Sequence, residues 1–250
     1  DLIDEEIISL KNKINSGIKT ATPFPILSLI DLPDMQKKNA ENYVKNEYSL
    51  SNNLEPIIKK PPNKKIRIGY YSADFNNHPT SFLMIQLLEL HDRHNFEIYC
   101  FSLANRKDDE MRKRIFNECD KFLDVSLKSD EEIAKISRDL NIDIACDVMG
   151  FTKGNKFQIF AEKCAPIQVS YLAFPGTTGA NFIDYVIADK IVISQELKKH
   201  YSEKIIFLPD TYQVNDSAKN ISDKVFTREE MGLPKDSFVF CCFNKNYKIL

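Results

Sequence analysis

One short stretch of the chain, ADFNNHPTS from Ala73 to Ser81, concentrates residue types that could do chemistry. It contains the carboxylate of Asp74, the imidazole of His78 and the hydroxyl of Thr80, together with two asparagine amides. A neutral imidazole can accept a proton from a hydroxyl group, and a carboxylate can bind a polar substrate group. These residue types predict acid–base chemistry or a site for a polar ligand.

His78 is the sharpest single candidate in this stretch. It precedes Pro79 and two hydroxyl residues, a pattern typical of a helix N-terminus. The positive end of a helix dipole disfavours an imidazolium, so a neutral ring is expected there. The alternative is that His78 only ties its own loop together. For a lone histidine this alternative is the more common one, and the position of His78 beside Asp74, Asn76 and Asn77 at a predicted ligand edge narrows the difference.

The elements that must position these residues follow from hydrophobic patterning. Short apolar runs alternate with helical patterns, which predicts an α/β fold with a Rossmann-like, doubly wound parallel sheet. Strands are predicted at Ile66–Ser72, Phe96–Phe101, Asp143–Val148, Ile167–Phe174, Asp184–Ala188 and Lys204–Leu208. Helices are predicted at Thr80–Asp92, Asp108–Cys119, Asp130–Leu140, Lys156–Lys163 and Gln195–His200.

Three loops of this predicted sheet are candidates for ligand binding, because ligands bind beyond the carboxyl ends of the strands. They are residues 73–81, 149–154 and 174–181. Asp147, at the end of its strand, could bind a polar substrate group. Four of the seven glycines lie in these loops: Gly150, Gly154, Gly176 and Gly179. Glycine allows close approach to a ligand, although tight turns need it as well.

The two ends of the chain differ from the α/β region. Residues 1–60 predict two helices separated by the proline-rich TATPFPILSLIDLP, and the Pro pair of KKPPNKK predicts a boundary near Asn63. The α/β domain is then expected over 64–222. From Phe226, a Thr-capped helix followed by an apolar strand predicts the start of a second Rossmann-like domain, 226–250, without room to finish.

Composition excludes several classes of function. A net charge of −2 from 34 basic and 36 acidic residues gives no electrostatic reason to expect nucleic acid. No apolar run approaches the ~20 residues that span a bilayer, so no membrane partner is expected. The six cysteines lack metal-site spacing and mostly lie in apolar runs. Reduced cysteines and a cytoplasmic location are therefore expected.

Motifs of several enzyme classes are absent from the sequence: GxGxxG after the first strand, GxxxxGK[ST], HExxH and GxSxG. Dinucleotide cofactors, P-loop chemistry, zincin proteolysis and the usual hydrolase nucleophile lose their main support. The run NRKDDEMRKR is predicted to form a solvated helix face. His91, His94 and His200 are expected to be solvated on helix surfaces.

Five ordered blocks resemble the catalytic region of protein O-linked N-acetylglucosamine transferases and of the related SPINDLY-type enzymes. They are RIGYYSADFNNHPTSFLM, GFTKG, APIQVSYLAFPGTTGANFIDYVIAD, YSEKIIFLPDTYQVND and FCCFNKNYKI. The resemblance runs from about Arg67 to the end of the sequence. It implies the first half of a GT-B glycosyltransferase, in which two Rossmann-like domains face a cleft and tetratricopeptide repeats precede them. Residues 1–60 would be the end of that repeat region.

The resemblance also implies an activity. A nucleotide-sugar donor would transfer its sugar, with inversion and without cofactor or metal, to Ser or Thr hydroxyls of acceptor proteins. UDP-N-acetylglucosamine is the expected donor, and GDP-fucose, as in SPINDLY-type members, is the alternative. A helical-repeat interaction protein that no longer catalyses is a further alternative. Donor contacts in the family come mostly from the second domain, so the chain as given is expected to transfer little or no sugar.

Site residues carry over from the resemblance position by position. His78 matches a His that borders sugar and acceptor, and is the predicted catalytic residue, either handling the acceptor proton or orienting the reacting groups. Thr152 matches a Thr lining the acceptor side, and Pro175, Gly176 and Thr177 match the loop beside the donor sugar. The remaining predicted substrate-binding residues are Asp74, Thr80, Asp147, Gly150 and Phe174. Animal members carry a His at the position of Asp143, so roles suggested for that His do not transfer.

Overall fold

The computed structural model describes residues 2–48, 54–58 and 63–243. Its strands are β1 Ile66–Ser72, β2 Phe96–Ser102, β3 Lys121–Asp124, β4 Ile144–Asp147, β5 Ile167–Ser170, β6 Tyr185–Ala188 and β7 Lys204–Phe207. Its helices are α1 Leu2–Asn15, α2 Pro23–Leu29, α3 Pro33–Glu47, α4 Pro79–Leu90, α5 Glu110–Glu118, α6 Asp130–Asp139 and α7 Gln158–Ala161, with a 3₁₀ helix at Leu197–His200. The strands form one parallel sheet in the order β3-β2-β1-β4-β5-β6-β7. The predicted Rossmann-like α/β fold is confirmed.

Both faces of the sheet are covered, as the continuous apolar strands require. Successive residues of β1 point to opposite faces, so Tyr71 joins one buried cluster and Tyr70 the other. Tyr71 stacks on Phe101 with ring centroids 4.4 Å apart, on the face that α6 and α7 cover. Met84 and Leu88 of α4 pack against the opposite face. The two apolar layers fix the strands, and with them the loops at the strand ends.

The strand order reverses direction between β1 and β4, which creates the switch point of the sheet. β1 pairs with β2 on one side and with β4 on the other, and β5 lies beside β4. Tyr71 is in register with Asp147, and Asp147 with Ser170, so the carboxyl ends of these three strands are neighbours. All three candidate loops therefore begin along one rim of the sheet, as predicted.

The N-terminal helices and the sheet belong to one compact unit, Asp1–Ser217. Ile14, Ile26 and Ile30 bring α1 and α2 together, and α3 buries Val44 in the core of the sheet domain. The prediction that prolines break any helix in the connector was wrong, since α2 lies there. Pro23 occupies the first position of α2, where a missing N–H leaves no hydrogen bond unmade.

Three other features differ from the sequence-based expectation. The short strand β3 was not predicted. The predicted strand Ile167–Phe174 ends at Ser170, and Leu172 has a φ of 74°, which is incompatible with a strand. The run NRKDDEMRKR is not wholly a solvated face, because Arg112 is buried and donates to Ser102 and Asp124.

The second compact unit, Ala218–Leu250, contains no helix or strand within its described part, which ends at residue 243. The predicted helix is reduced to one turn, in which Thr227 Oγ1 accepts from Glu230 N and the Thr227 amide donates to Glu230. A cap alone does not propagate a helix without a surface to pack on. The predicted strand is absent as far as residue 243, and its last residues lie outside the described part.

The cysteine and histidine expectations were partly wrong. Cys100 of β2 and Cys119 at the end of α5 form a disulfide, whereas Cys146 and Cys164 are buried free thiols. His91 is only partly exposed, and its Nε2 lies 2.8 Å from the hydroxyl oxygen of Tyr70. His200 is also largely buried, with its side chain 11% exposed. In the part of the chain that the structure describes, no helix has both the length and the apolar character to cross a bilayer.

Candidate functional site

His78 is the N-terminal cap of α4, as its neighbours in the sequence predict. Its backbone is extended, Pro79 takes the first helical position, and its Nδ1 lies 3.3 Å from the backbone N–H of Thr80. The side chain is 40% exposed. Among the described residues no hydrogen bond to its Nε2 is found. The ring is thus anchored on one nitrogen and open to a ligand on the other.

Asp74 is the carboxylate nearest to this ring. Its side chain is 10% exposed, and its Oδ2 lies 3.5 Å from His78 Nδ1. Burial raises the pKa of Asp74, while the charges of His78 and Arg106 oppose that rise. Asp74 is held by its backbone, since its N–H donates to Ser72 Oγ at 3.0 Å and its carbonyl accepts from Ser81 Oγ at 2.5 Å.

Arg106 is a rim residue that the sequence analysis did not identify. It lies in the loop between β2 and α5, where its Nε donates to the carbonyl of Ala73 at 3.1 Å. One of its terminal nitrogens lies 3.9 Å from Asp74 Oδ1. Arg106 lies in a run of charged residues of both signs, and the sequence of such a run does not indicate which residue contacts a neighbouring loop.

Asp147 is bonded within its own loop, although the sequence analysis predicted a contact with substrate. It is 2% exposed, and its two carboxylate oxygens accept from the backbone N–H groups of Met149 and Gly150, each at 3.0 Å. Burial raises its pKa to about 7, although these two hydrogen bonds oppose the rise. Asp147 thereby shapes the loop after β4, and a direct contact with substrate stays a prediction.

Gly150 joins the second and third loops. Its φ is 53°, and a Cβ added there would lie 2.3 Å from Cβ of Phe174. Only glycine therefore fits at this position without displacing Phe174. Phe174 is buried and packs edge-on against Phe151, with ring centroids 5.2 Å apart.

The second loop also meets the first. A Cβ added at Gly154 would lie 3.4 Å from Cβ of Ala73, which is ordinary contact distance. Thr152, in the same turn, is partly exposed and donates its hydroxyl to the carbonyl of Met149 at 2.8 Å. The predicted residues His78, Thr152 and Phe174 thus belong to three loops, of which the second contacts both the first and the third.

The third loop is braced by Glu203, a residue that the sequence analysis missed. Glu203 is 5% exposed, and its Oε2 accepts from the hydroxyl of Thr177 at 2.7 Å. Its Oε1 accepts from both the backbone N–H and the hydroxyl of Thr178. The only sequence signal was an acidic residue inside the YSEK block. Because Thr177 is already bonded and buried, its hydroxyl is not free to reach a ligand in this arrangement.

Pro175 and Gly176 follow Phe174 in the third loop, and Gly176 is buried. Pro175 is exposed, and its carbonyl accepts from the hydroxyl of Tyr201 at 3.2 Å. A Cβ at Gly176 would lie 3.1 Å from Leu27 of α2. A cavity of about 90 Å³ lies beside these contacts, and Pro23, Pro33 and Leu197 contribute to its apolar lining.

Asp143 lies at the opposite end of the sheet from the rim. It precedes β4, and its Oδ2 accepts from the N–H of Arg67 at 2.9 Å and from Asn63 Nδ2 at 2.8 Å. It therefore fastens the amino ends of two strands and takes no part in the rim. Within the described residues, no group of three side chains is arranged to hold a metal ion.

Comparison with known proteins gives consistent results. The sequence matches the model of glycosyl transferase family 41 over residues 43–225. It is 44% identical over 199 residues to the probable UDP-N-acetylglucosamine–peptide N-acetylglucosaminyltransferase SEC of Arabidopsis thaliana, covering 78% of this chain and 20% of that protein. It is 36% identical over 179 residues to a UDP-N-acetylglucosamine–peptide N-acetylglucosaminyltransferase of Caenorhabditis elegans, covering 70% and 16%.

A solved structure is also similar. The fold matches a K341M mutant of the Thermobaculum terrenum O-GlcNAc transferase with a TM-score of 0.65 and 26% sequence identity. The match covers 73% of this chain and 35% of that one. The chain thus spans a fifth or less of the length of the two relatives described above.

Proposed function

The chain belongs to glycosyl transferase family 41, and on that premise we propose that it supplies one wall of the active site of a protein O-glycosyltransferase. The enzyme transfers N-acetylglucosamine from UDP-N-acetylglucosamine to Ser or Thr hydroxyls of proteins, in the cytoplasm. The names of the two relatives, from a plant and a nematode, support this donor and a peptide acceptor. The observation that carries the proposal is the open Nε2 of His78 at the switch point of the sheet.

Transfer to a hydroxyl group needs a partner for the acceptor proton within hydrogen-bond reach. His78 meets this need in the tautomer whose Nε2 is bare, because its side chain is 40% exposed and no hydrogen bond to Nε2 is found among the described residues. Thr152, on the adjoining loop, is placed in the proposal on the acceptor side. The hydroxyl of Thr177 is already bonded to Glu203. The donor-sugar contacts of the third loop are therefore assigned in the proposal to backbone groups of Pro175 and Gly176.

The remaining residues complete the wall. Asp74 and Thr80 lie on the His78 loop, where Thr80 is nearly buried and presents its N–H to the ring. Gly150 and Phe174 hold the second and third loops together. In the proposal these four residues shape the substrate site through the loops that they fix. No cofactor takes part, and the nucleotide sugar is a substrate.

The test is sugar transfer by the full-length protein. Radiolabelled UDP-N-acetylglucosamine and GDP-fucose are offered in parallel with an acceptor protein, and the product is identified by its mass. We expect label from UDP-N-acetylglucosamine on Ser or Thr. Label from GDP-fucose alone would show that GDP-fucose, and not UDP-N-acetylglucosamine, is the donor. Binding of acceptor without transfer from either donor would refute the enzymatic function.

Replacing His78 by Ala should reduce this transfer by about 10²–10⁴-fold, the range typical of a general acid or base. His94→Ala is the matched control, because His94 is exposed and lies at the amino end of β2, on the opposite side of the sheet from the rim. Equal transfer rates for the two variants would remove His78 from the catalytic residues.

A further inference from the structure

Two groups compete for Nδ1 of His78. The backbone N–H of Thr80 lies 3.3 Å away and Asp74 Oδ2 lies 3.5 Å away. The N–H is a donor, whereas the carboxylate is an acceptor. A ring nitrogen can accept from Thr80 only when it is bare, and it can donate to Asp74 only when it carries a proton. Only one of the two hydrogen bonds can form at a time.

The choice between them decides what the open side of the ring can do. In a neutral imidazole with a bare Nδ1, the proton sits on Nε2, which can then only donate a hydrogen bond. When Nδ1–H points to Asp74, Nε2 is bare and can accept the proton of a hydroxyl group. A carboxylate that selects the useful histidine tautomer in this way is a general device of acid–base catalysis.

We infer that Asp74 is a positioning residue, which holds His78 in the tautomer that can accept a proton at Nε2. The inference rests on the proposed function and adds to it the identity of the group that prepares the base. During transfer the acceptor oxygen forms a bond to the anomeric carbon as its proton passes to Nε2. The bond from that carbon to the diphosphate oxygen breaks, and its electron pair leaves with the nucleotide. His78 becomes an imidazolium paired with Asp74 and later returns the proton to water.

Arg106 supports the same arrangement by keeping Asp74 ionised. Its guanidinium is anchored on the carbonyl of Ala73 and lies 3.9 Å from Asp74 Oδ1. A protonated Asp74 would lose much of its attraction for Nδ1–H, and burial raises the pKa of Asp74. Among the described residues two other charged groups contact this loop: Asp109 at the start of α5, whose Oδ2 accepts from the N–H of Asn77 at 2.7 Å, and Arg112, which donates to the carbonyl of Phe75 at 3.4 Å. Arg106 therefore acts on His78 through Asp74.

The first test reads the tautomer directly and needs no catalysis. Ring ¹⁵N chemical shifts of His78 distinguish a protonated Nδ1 from a bare one. They are recorded for this chain at about pH 8.5, about two units above the pKa of an unperturbed histidine. Asp74→Asn removes the charge and offers an amide donor to Nδ1, so its Nδ1 signal should move toward the bare value. Arg106→Ala should shift the Nδ1 signal in the same direction by a smaller amount. Lys107→Ala, which removes the charge of the adjacent residue in the same loop, should leave the signal unchanged.

The second test uses transfer by the full-length protein. Asp74→Asn should lower kcat by about 10²-fold with little change in KM for the donor, because Asp74 prepares the base without binding the sugar. In a His78→Ala background the same substitution should cost nothing further, since Asp74 acts only through His78. Thermal unfolding of each variant separates these effects from misfolding.

Three results would overturn the inference: unchanged ring ¹⁵N shifts in Asp74→Asn, a raised KM without a change in kcat, or multiplying losses in the double variant. A wild-type protein that transfers no sugar would refute the proposed function. The ring ¹⁵N measurement would still decide whether Asp74 selects the tautomer, so the two failures are distinguishable.

Discussion

Replacing Gly150 by Ala should destabilise the chain far more than the addition of one methyl group implies. Two costs combine at this position. A φ of 53° is a left-handed conformation that costs an L-residue about 1–2 kcal/mol. The new Cβ would also lie 2.3 Å from Cβ of Phe174, where ordinary contacts begin near 3.4 Å, so one of the two loops must shift its main chain by about 1 Å. Overpacking of this kind costs about 1–3 kcal/mol. The sum is about 2–5 kcal/mol.

Gly17 provides a matched control for the conformational part of this cost. Its φ is 76°, and an added Cβ would meet no atom within 4 Å. Gly17→Ala should therefore lower the free energy of unfolding only by the conformational cost, about 1–2 kcal/mol. Urea unfolding followed by circular dichroism measures both variants. Equal losses for Gly150→Ala and Gly17→Ala would show that Gly150 does not seat Phe174, and the link between the second and third loops would fail.

Two further predictions concern buried carboxylates. Asp147 has a pKa of about 7 in the folded chain and about 3.9 when unfolded, so the folded state binds more protons between these values. The free energy of unfolding should therefore fall by up to about 4 kcal/mol as the pH rises from about 4 to 7. Urea unfolding at pH 5 and pH 8 measures this fall, which should be smaller in Asp147→Asn than in the wild type. An equal fall in the two proteins would contradict the assignment to Asp147. Glu203→Ala leaves three donors of Thr177 and Thr178 without their acceptor and should cost about 3 kcal/mol or more, whereas Glu203→Gln, which retains one acceptor oxygen, should cost less. A loss below about 1 kcal/mol in Glu203→Ala, measured in the same way, would exclude its bracing role.

The fold of the α/β region could be predicted because its determinants are local. Parallel strands buried on both faces are continuous apolar runs, and six of the seven strands have one. The exception, β3, is the four-residue KFLD at the sheet edge, with charged residues at both ends. The rim followed from a general rule about parallel sheets, and the cap at His78 from Pro79 directly after it.

Features that depend on partners distant in sequence could not be predicted. Glu203 braces Thr177 and Thr178 across about 25 residues, and Arg106 reaches Ala73 across 33. α2 was concealed because prolines at the beginning of a helix and prolines that interrupt one look alike in a sequence. At Thr227 the predicted capping hydrogen bond forms, but the helix that such a cap usually begins does not.

The third loop has the N-terminal helices as its rear support. A Cβ at Gly179 would lie 2.5 Å from the backbone nitrogen of Glu41 in α3, so loop and helix touch through their main chains. Phe24 and Leu27 of α2 lie against Phe174 and Gly176. Removing residues 1–62, at the boundary that the proline pair before Asn63 predicts, would remove these contacts and leave the third loop facing water. The N-terminal helices are therefore part of the scaffold of the rim, and a version of the chain meant to keep the third loop in place includes them.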